Sequence, residues 1–169
     1  MQHETYMRLA LQQAQQALAD NEFPVGAVIV AGNEPLAFGK RENSRNETAN
    51  ELDHAEIVAL RDLLGRRPDI DRQALTVYST MEPCLMCYTT MLLNGIRNFV
   101  YAYEDAMGGG TNLPLMHLAP LYQTMEPEVR ILPHILRRES LDLFKAFFTN
   151  QENNYWQGSL LAEYTLTQP

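Results

Sequence analysis

The stretch ALTVYSTMEPCLMCYTTMLLNG, residues 74–95, decides how the middle of the chain folds. Its first part, Ala74 to Thr80, is rich in apolar and β-branched residues and predicts a buried strand. Pro83 suits the first position of a helix, and the mostly apolar run behind it ends at an Asn-Gly pair that favours a helix end. A strand that runs directly into a helix is therefore the central unit of the expected fold.

Both cysteines of the chain, Cys84 and Cys87, lie just behind that proline. Three residues apart, their sulfurs share one face of a helical turn. The N-terminus lacks the apolar segment of a signal peptide, and no stretch reaches the ~18 apolar residues of a membrane span, so we expect a cytoplasmic protein. In that reducing compartment a close cysteine pair indicates a metal site or a redox site, and the pair alone does not decide between them.

Strand and helix patterns alternate on both sides of this unit. The expected elements are a helix over 4–20, strands over 25–32 and 36–40, a helix from the N-cap Asp53 to Gly65, a strand over 74–80, a helix over 83–95, strands over 98–103 and from 129, and a helix over 139–148. The polar stretch 41–52 lacks an apolar period and is expected to be a functional or mobile loop.

This order predicts the α/β class, with a mixed central sheet of about five strands in a three-layer α/β/α arrangement. The connection between the last two strands is long enough for a helical crossover, which predicts that they are parallel. The chain has 169 residues and 46% apolar content, enough for one core, and no linker or repeat divides it. We therefore expect a single domain over 1–169, with a C-terminal helix and tail from about residue 139.

A histidine near the start of another predicted helix could join the cysteines at a metal. With His54, the thiolates of Cys84 and Cys87 would make a three-ligand zinc site whose fourth position is left for water. Zinc lowers the pKa of such a water to roughly 7. Glu56 follows His54 by two residues and could face the same cavity as a proton acceptor. Hydrolytic deamination requires an activated water molecule and a group that transfers protons, so these residues are suited to that reaction.

These residues resemble a known signature. His54-Ala55-Glu56 and Pro83-Cys84-Leu85-Met86-Cys87 match the H-x-E and P-C-x-x-C motifs of the zinc-dependent cytidine and deoxycytidylate deaminase superfamily. The resemblance covers roughly residues 9–103 and is closest to bacterial tRNA-adenosine deaminase and its guanine and cytosine deaminase relatives. It implies a cytidine-deaminase-like fold and, because family members are commonly dimeric, a homodimer.

The resemblance also implies site residues. It makes His54, Cys84 and Cys87 the ligands of one zinc ion per subunit, with water or hydroxide as the fourth ligand, and it makes Glu56 the catalytic proton shuttle. The substrate-binding residues that it implies are Asn43, Ala55, Glu82 and Asp105. Three of these have an alternative: Asn43 and Asp105 could be ordinary turn residues, and Glu82 could support the ligands from behind. Trp156, in the aromatic tail, is a further candidate substrate contact, beside roles in packing or at a dimer surface.

The charge of the chain guides our choice of substrate. The net charge is −8, and no Lys or Arg follows Lys145, which opposes binding of a polyanion. Residues 49–53 also replace the D-P-T-A that bacterial tRNA-adenosine deaminases usually carry. We therefore expect a hydrolase of the C–N bond of cyclic amidines, acting on a small-molecule nucleobase or related amino-heterocycle. Guanine is favoured, which implies a role in purine metabolism.

Two alternatives remain open. The first is a deaminase that converts adenosine 34 of tRNA to inosine, which would need Arg130, Arg137 and Arg138 to form a compensating basic patch. The second is a catalytically silent zinc-bearing binding module, for which Glu56 would have no use.

Overall fold

The computed structural model describes residues 2–45 and 49–169, and within them five strands form one sheet. The strands are β1 (Gly26–Ala31), β2 (Glu34–Lys40), β3 (Leu75–Met81), β4 (Asn98–Tyr103) and β5 (Arg130–Leu132). The helices are α1 (Gln2–Ala19), α2 (Ala55–Arg66), α3 (Leu85–Leu93), α4 (Pro120–Gln123), α5 (Arg137–Thr149) and α6 (Leu160–Thr167). Residues 46–48 of the predicted polar loop lie outside the described residues.

The sheet is mixed, in the order β2-β1-β3-β4-β5. β1 is antiparallel to β2 and β3, whereas β3, β4 and β5 are parallel to one another, so the prediction that the last two strands are parallel is confirmed. Because parallel strands end at the same edge of a sheet, the chain leaves β3 and β4 side by side. Ligands of open α/β sheets bind in the crevice outside such carboxyl ends.

Helices cover both faces of the sheet, as the three-layer prediction requires. Successive strand side chains point to opposite faces. In β3, Val77 packs in one apolar cluster with α2 and α3, whereas the next residue, Tyr78, packs in another with α1. A third cluster joins Met81 and Tyr103, at the ends of β3 and β4, to α5 and α6. Every helix that the structure describes is too short or too polar to cross a membrane.

The connection between β4 and β5 differs from the expected crossover helix. Its helical parts are two single 3₁₀ turns, Leu115–His117 and Glu126–Glu128, and the four-residue α4. Prolines at the start of each of these turns explain the interruption, since proline fits the first turn of a helix and breaks a longer one. The parallel pairing of β4 and β5 needs only the length of this connection.

The C-terminal region holds one more helix than the sequence pattern predicts. The predicted helix over 139–148 is α5, but the aromatic tail also folds into α6. The Ser159 hydroxyl caps α6 by accepting a hydrogen bond from the amide of Ala162 at 3.2 Å. The serine just before an apolar run was the available sequence signal.

Glu104, directly after β4, connects α5 and α6 to the sheet. Its carboxylate accepts hydrogen bonds from Arg137 Nε at 2.8 Å and from the Tyr164 hydroxyl at 2.7 Å. Burial would raise the pKa of Glu104, but the hydrogen bonds from Arg137 and Tyr164 outweigh it and lower that pKa to about 2.

We expect Glu104→Gln to destabilise the protein at neutral pH by about 1 kcal/mol, a value reduced by solvent screening. The unfolded carboxyl titrates near its ordinary pKa of about 4.3, so its contribution is complete above that pH and is lost as the pH falls toward 2. Urea unfolding between pH 7 and pH 3 measures this, with the exposed Glu163→Gln on α6 as control. Equal pH dependence in the wild type and Glu104→Gln would contradict the assignment.

Candidate metal centre and substrate cavity

The predicted ligands lie where α2 and α3 begin, beside the ends of β3 and β4. His54 is the N-cap of α2, Cys84 is the N-cap of α3, and Cys87 lies in the first turn of α3. The prediction that Asp53 caps α2 is wrong by one residue, and the prediction that Pro83 is the first residue of α3 is wrong by two, because α3 begins at Leu85. The Asp53 carboxylate instead accepts hydrogen bonds from the side-chain amides of Asn43 and Asn50.

The three side chains form a cluster with the dimensions of a zinc site. His54 Nδ1 lies 3.6 Å from Cys84 Sγ and 3.5 Å from Cys87 Sγ. Zinc–sulfur bonds of about 2.3 Å and zinc–nitrogen bonds of about 2.0–2.1 Å at a tetrahedral angle place sulfur and nitrogen about 3.6 Å apart. Among residues 2–45 and 49–169, no other group of three His, Cys, Asp or Glu side chains gathers in this way. The donor set therefore fits zinc.

The negative charge of Cys84 favours a metal cation. A hydrogen bond with Cys87 is the main reason why the pKa of Cys84 falls to about 4; burial opposes the shift and His54 assists it. The position of Cys84 at the start of α3 adds the favourable end of the helix dipole. At neutral pH Cys84 is a thiolate, the form of cysteine that binds metals.

Glu56 is buried beside this cluster, with 3% of its surface exposed. The Ser79 hydroxyl, on β3, donates a hydrogen bond to Glu56 Oε1 at 3.1 Å, and Glu56 Oε2 lies 3.6 Å from Cys87 Sγ. Burial, and next the negative charge of Cys84, raise the pKa of the Glu56 carboxyl above its ordinary value. One oxygen of Glu56 is thus fixed by β3, and the other faces the ligands.

A cavity of about 310 Å³ opens onto His54, Glu56 and Cys84. Its apolar walls are formed by Phe23, Val25, Met81, Trp156 and Leu161, among others. This volume lies at the small end of ligand pockets, and apolar walls with a few polar groups are typical of small-molecule and cofactor sites.

Three of the five predicted substrate contacts, Glu82, Asp105 and Trp156, line this cavity. One Asp105 oxygen accepts hydrogen bonds from the amides of Met107 and Gly108 at 3.0 and 2.8 Å. Trp156 is 43% exposed and takes a left-handed backbone conformation, with φ of 56°.

Glu82 has a structural role beside its place at the cavity, and Asn43 and Ala55 lie elsewhere. Glu82 also borders the cavity, but its carboxylate accepts hydrogen bonds from the amides of Thr111 and Asp105, each at 3.2 Å, so it joins the loop after β4 to the end of β3. Asn43 and Ala55 are not among the described residues that line the cavity. The Asn43 amide donates to Asp53 at 2.8 Å, and Ala55 is fully buried behind His54.

Two charged cavity residues, Arg41 and Glu51, had no site role predicted from the sequence, and Tyr155 had only the roles considered for the aromatic tail. Arg41 is only 1% exposed, and its guanidinium lies 5.6 Å from the centre of the Tyr155 ring. The polar stretch 41–52 carried the signal for a functional loop, but no pattern in it distinguishes Arg41 or Glu51 from their polar neighbours.

Two cysteine sulfurs, one imidazole and a buried glutamate at the edge of this sheet define a zinc-dependent hydrolase that deaminates nucleobases or nucleosides. The family model for the cytidine and deoxycytidylate deaminase zinc-binding region matches residues 1–103. The chain belongs to this family.

Curated relatives extend the similarity beyond the matched region. A tRNA-specific adenosine deaminase of Rickettsia bellii is 32% identical over 142 residues, which are 84% of this chain and 97% of that protein. The enzyme of the same name from Bacillus subtilis is 28% identical, over 87% of this chain and 89% of that protein. The tRNA-specific adenosine deaminase subunit tad2 of Schizosaccharomyces pombe is 31% identical over 90% of this chain, which spans 38% of that longer protein.

Solved structures confirm the cytidine-deaminase-like α/β fold. A structure from a study of A-to-I editing by tRNA:A34 deaminases has a TM-score of 0.66 at 25% identity, covering 82% of this chain and 98% of that chain. A guanine deaminase from Nitrosomonas europaea has a TM-score of 0.68 at 19% identity, covering 85% of this chain and 83% of that chain, and this likeness shows the fold alone.

The prediction of a free nucleobase as substrate, with guanine first and a role in purine metabolism, is wrong, as is the small-molecule partner. Relatives at 28–32% identity over most of the chain are named as adenosine deaminases specific for tRNA, not as deaminases of a free base. The error came from the net charge of −8, which describes the whole surface and not the groups around one cavity. In these folds the rim of the site selects the substrate.

Proposed function

We propose that the protein deaminates adenosine 34 of tRNA to inosine. The observation that carries this proposal is the 28–32% identity, over 84–90% of the chain, to proteins named tRNA-specific adenosine deaminase. The cavity supports it, because one flipped-out base must enter a closely fitting pocket next to the metal. Single-domain organisation over 1–169, cytoplasmic location and a homodimer stay predictions.

The overall reaction consumes adenosine and water and releases inosine and ammonia. Zinc held by His54, Cys84 and Cys87 would activate a water molecule for attack on C6 of the adenine ring. Glu56 would accept a proton from that water at Oε2, while Ser79 keeps Oε1 in place. The same carboxyl group would deliver that proton to the ring nitrogen N1 as oxygen bonds to C6, and would then take the proton of the new C6 hydroxyl and pass it to the amino group, which leaves as ammonia when the C6–N bond breaks.

The cavity walls suggest which residues hold the base. Phe23 and Trp156 offer apolar ring surface for a purine, and the Asp105 oxygen that does not bind Met107 and Gly108 is available to a polar edge. In this proposal Glu82 supports the loop that carries Asp105. Asn43 and Ala55 stay predictions as substrate contacts.

Because the protein as a whole is acidic, contacts with tRNA phosphates would have to come from individual basic side chains near the cavity. Arg137 and Arg138 of the predicted patch are paired with Glu104 and Asp142, respectively. Arg45 is a better candidate, because it lines a second cavity that shares Tyr155 with the first, and its side chain is 49% exposed. Its partner Glu22 lies 3.5 Å away, a separation at which phosphate can compete for the guanidinium.

A substrate panel tests the proposal. Ammonia release would be measured with an anticodon stem-loop carrying adenosine 34, with adenosine, and with free guanine, adenine and cytosine, using Glu56→Gln as the blank. We expect release from the stem-loop alone, with a KM that rises steeply with salt because phosphate contacts release counterions. Release from a free base at comparable kcat/KM, without the stem-loop activity, would contradict the proposal.

The Ser79 hydroxyl offers a prediction about the proton shuttle. We expect Ser79→Ala to lower kcat about tenfold, because Glu56 Oε1 loses a hydrogen bond worth about 1.5 kcal/mol to a charged group. KM and zinc content should not change, since Ser79 reaches neither the substrate nor the ligands. A tenfold rise in KM at constant kcat would place Ser79 in substrate binding instead.

A further inference from the structure

We infer that Glu51 is a positioning residue for the zinc ligand His54 and that Tyr155, from the C-terminal region, holds Glu51 in place. The inference rests on the assignment of His54 as a zinc ligand in the proposed function. It does not depend on which substrate the enzyme takes.

The first step concerns the two nitrogens of His54. Nδ1 faces both cysteine sulfurs, at 3.6 and 3.5 Å, and Nε2 lies 3.1 Å from Glu51 Oε2. An imidazole that binds a metal through one nitrogen carries its proton on the other, and a carboxylate at that proton fixes the tautomer and the ring orientation. Glu51 is the carboxylate at the second nitrogen, Nε2, of His54.

The second step concerns what holds Glu51, whose side chain is 59% exposed and would otherwise sample many rotamers. The Tyr155 hydroxyl donates to its carboxylate, at 3.1 Å from Oε1 and 2.9 Å from Oε2. The buried Arg41 adds charge at 3.5 Å and is itself fixed by donating to the carbonyl of Asn50 at 2.6 Å. Two side chains from separate parts of the chain therefore restrict this carboxylate.

The third step concerns the position of Tyr155 in the cavity wall. Its ring packs edge-on against Phe23, with ring centres 5.2 Å apart, and both rings line the cavity with Trp156. One hydrogen bond thus links the wall of the cavity to the carboxylate that orients a zinc ligand. Removing only the hydroxyl, as in Tyr155→Phe, breaks this link and leaves the ring packing intact.

The test measures zinc, not catalysis. Zinc dissociation constants and release rates would be determined by competition with a chromophoric chelator for the wild type, Glu51→Ala, Glu51→Gln, Tyr155→Phe and the double variant. We expect Glu51→Ala to weaken zinc binding about 10- to 100-fold, the range for groups behind a metal ligand. Glu51→Gln keeps an acceptor for His54 Nε2 and should weaken zinc binding less than Glu51→Ala does. Tyr155→Phe should weaken zinc binding several-fold.

The double variant of Glu51 and Tyr155 shows whether Tyr155 affects zinc affinity through Glu51. Because Tyr155 acts through Glu51, Tyr155→Phe should change zinc affinity no further when residue 51 is already alanine. Glu34→Gln is the charge-matched control, since Glu34 pairs with Ala31 and Ala31 with Leu75, at the opposite end of the sheet from the site.

Two results would overturn the inference: unchanged zinc affinity in Glu51→Ala, or an equal Tyr155→Phe effect in both backgrounds. Thermal unfolding of each variant with zinc checks that it is folded. If the zinc affinities follow the expected order and the stem-loop is not deaminated by the wild type, only the proposed function fails. Expected stem-loop activity with unchanged zinc affinity in Glu51→Ala would overturn this inference alone.

Discussion

Glu56→Gln is expected to retain one zinc per chain and to lose turnover by at least ~10²-fold, the lower end of general acid–base contributions. Glutamine keeps the shape of the side chain and can still accept the hydrogen bond from Ser79, but it cannot take up and return a proton. Single-turnover deamination, with zinc content measured on the same sample, checks both parts.

The control for this variant is Glu34→Gln, which removes the same charge at the far end of the sheet. It should keep wild-type activity. Full activity in Glu56→Gln would remove Glu56 from the mechanism, and loss of zinc together with activity would instead give it a structural role at the metal.

Cys87→Ala is expected to weaken zinc binding by at least ~10²-fold and to remove turnover with it, because two of three ligands cannot hold a catalytic zinc ion. We expect the chain to stay folded, since its apolar clusters are formed by the sheet and helices without Cys87. Zinc titration, far-ultraviolet circular dichroism and thermal unfolding measure the three quantities.

Thr89→Ala, on the same helix as Cys87, is the matched control and should bind zinc normally. If Cys87→Ala unfolds, and removal of zinc from the wild type unfolds it too, the metal is structural. If Cys87→Ala binds zinc as tightly as the wild type, the ligand assignment is wrong.

The metal cluster was predictable because its signals are local. The strand over 74–80, the turn at Pro83 and the helix behind it placed Cys84 and Cys87 on one helical turn, and His54 stood at the start of another helix. Residue spacing alone could not show that the starts of these two helices lie side by side in the fold. The resemblance to a known signature indicated that they do. Local signals also located α1, α5 and the strands, with ends shifted by one or a few residues.

Contacts between distant parts of the chain were not predictable. The Arg41–Glu51–Tyr155 arrangement joins side chains that no periodicity or motif connects, and only the folded chain brings them together. The substrate prediction failed for a related reason. Net charge is a sum over the whole surface, whereas recognition depends on the few groups at the cavity and its rim.

The most direct test of the central claim is the formation of inosine in an anticodon stem-loop, located by mass spectrometry after nuclease digestion. The zinc-loaded wild type would be compared with Glu56→Gln, on one stem-loop carrying adenosine 34 and on another with adenosine only at a neighbouring loop position. We predict inosine at position 34 alone, formed by the wild type and not by the variant. Release of ammonia from free bases with no inosine in either stem-loop would contradict the account.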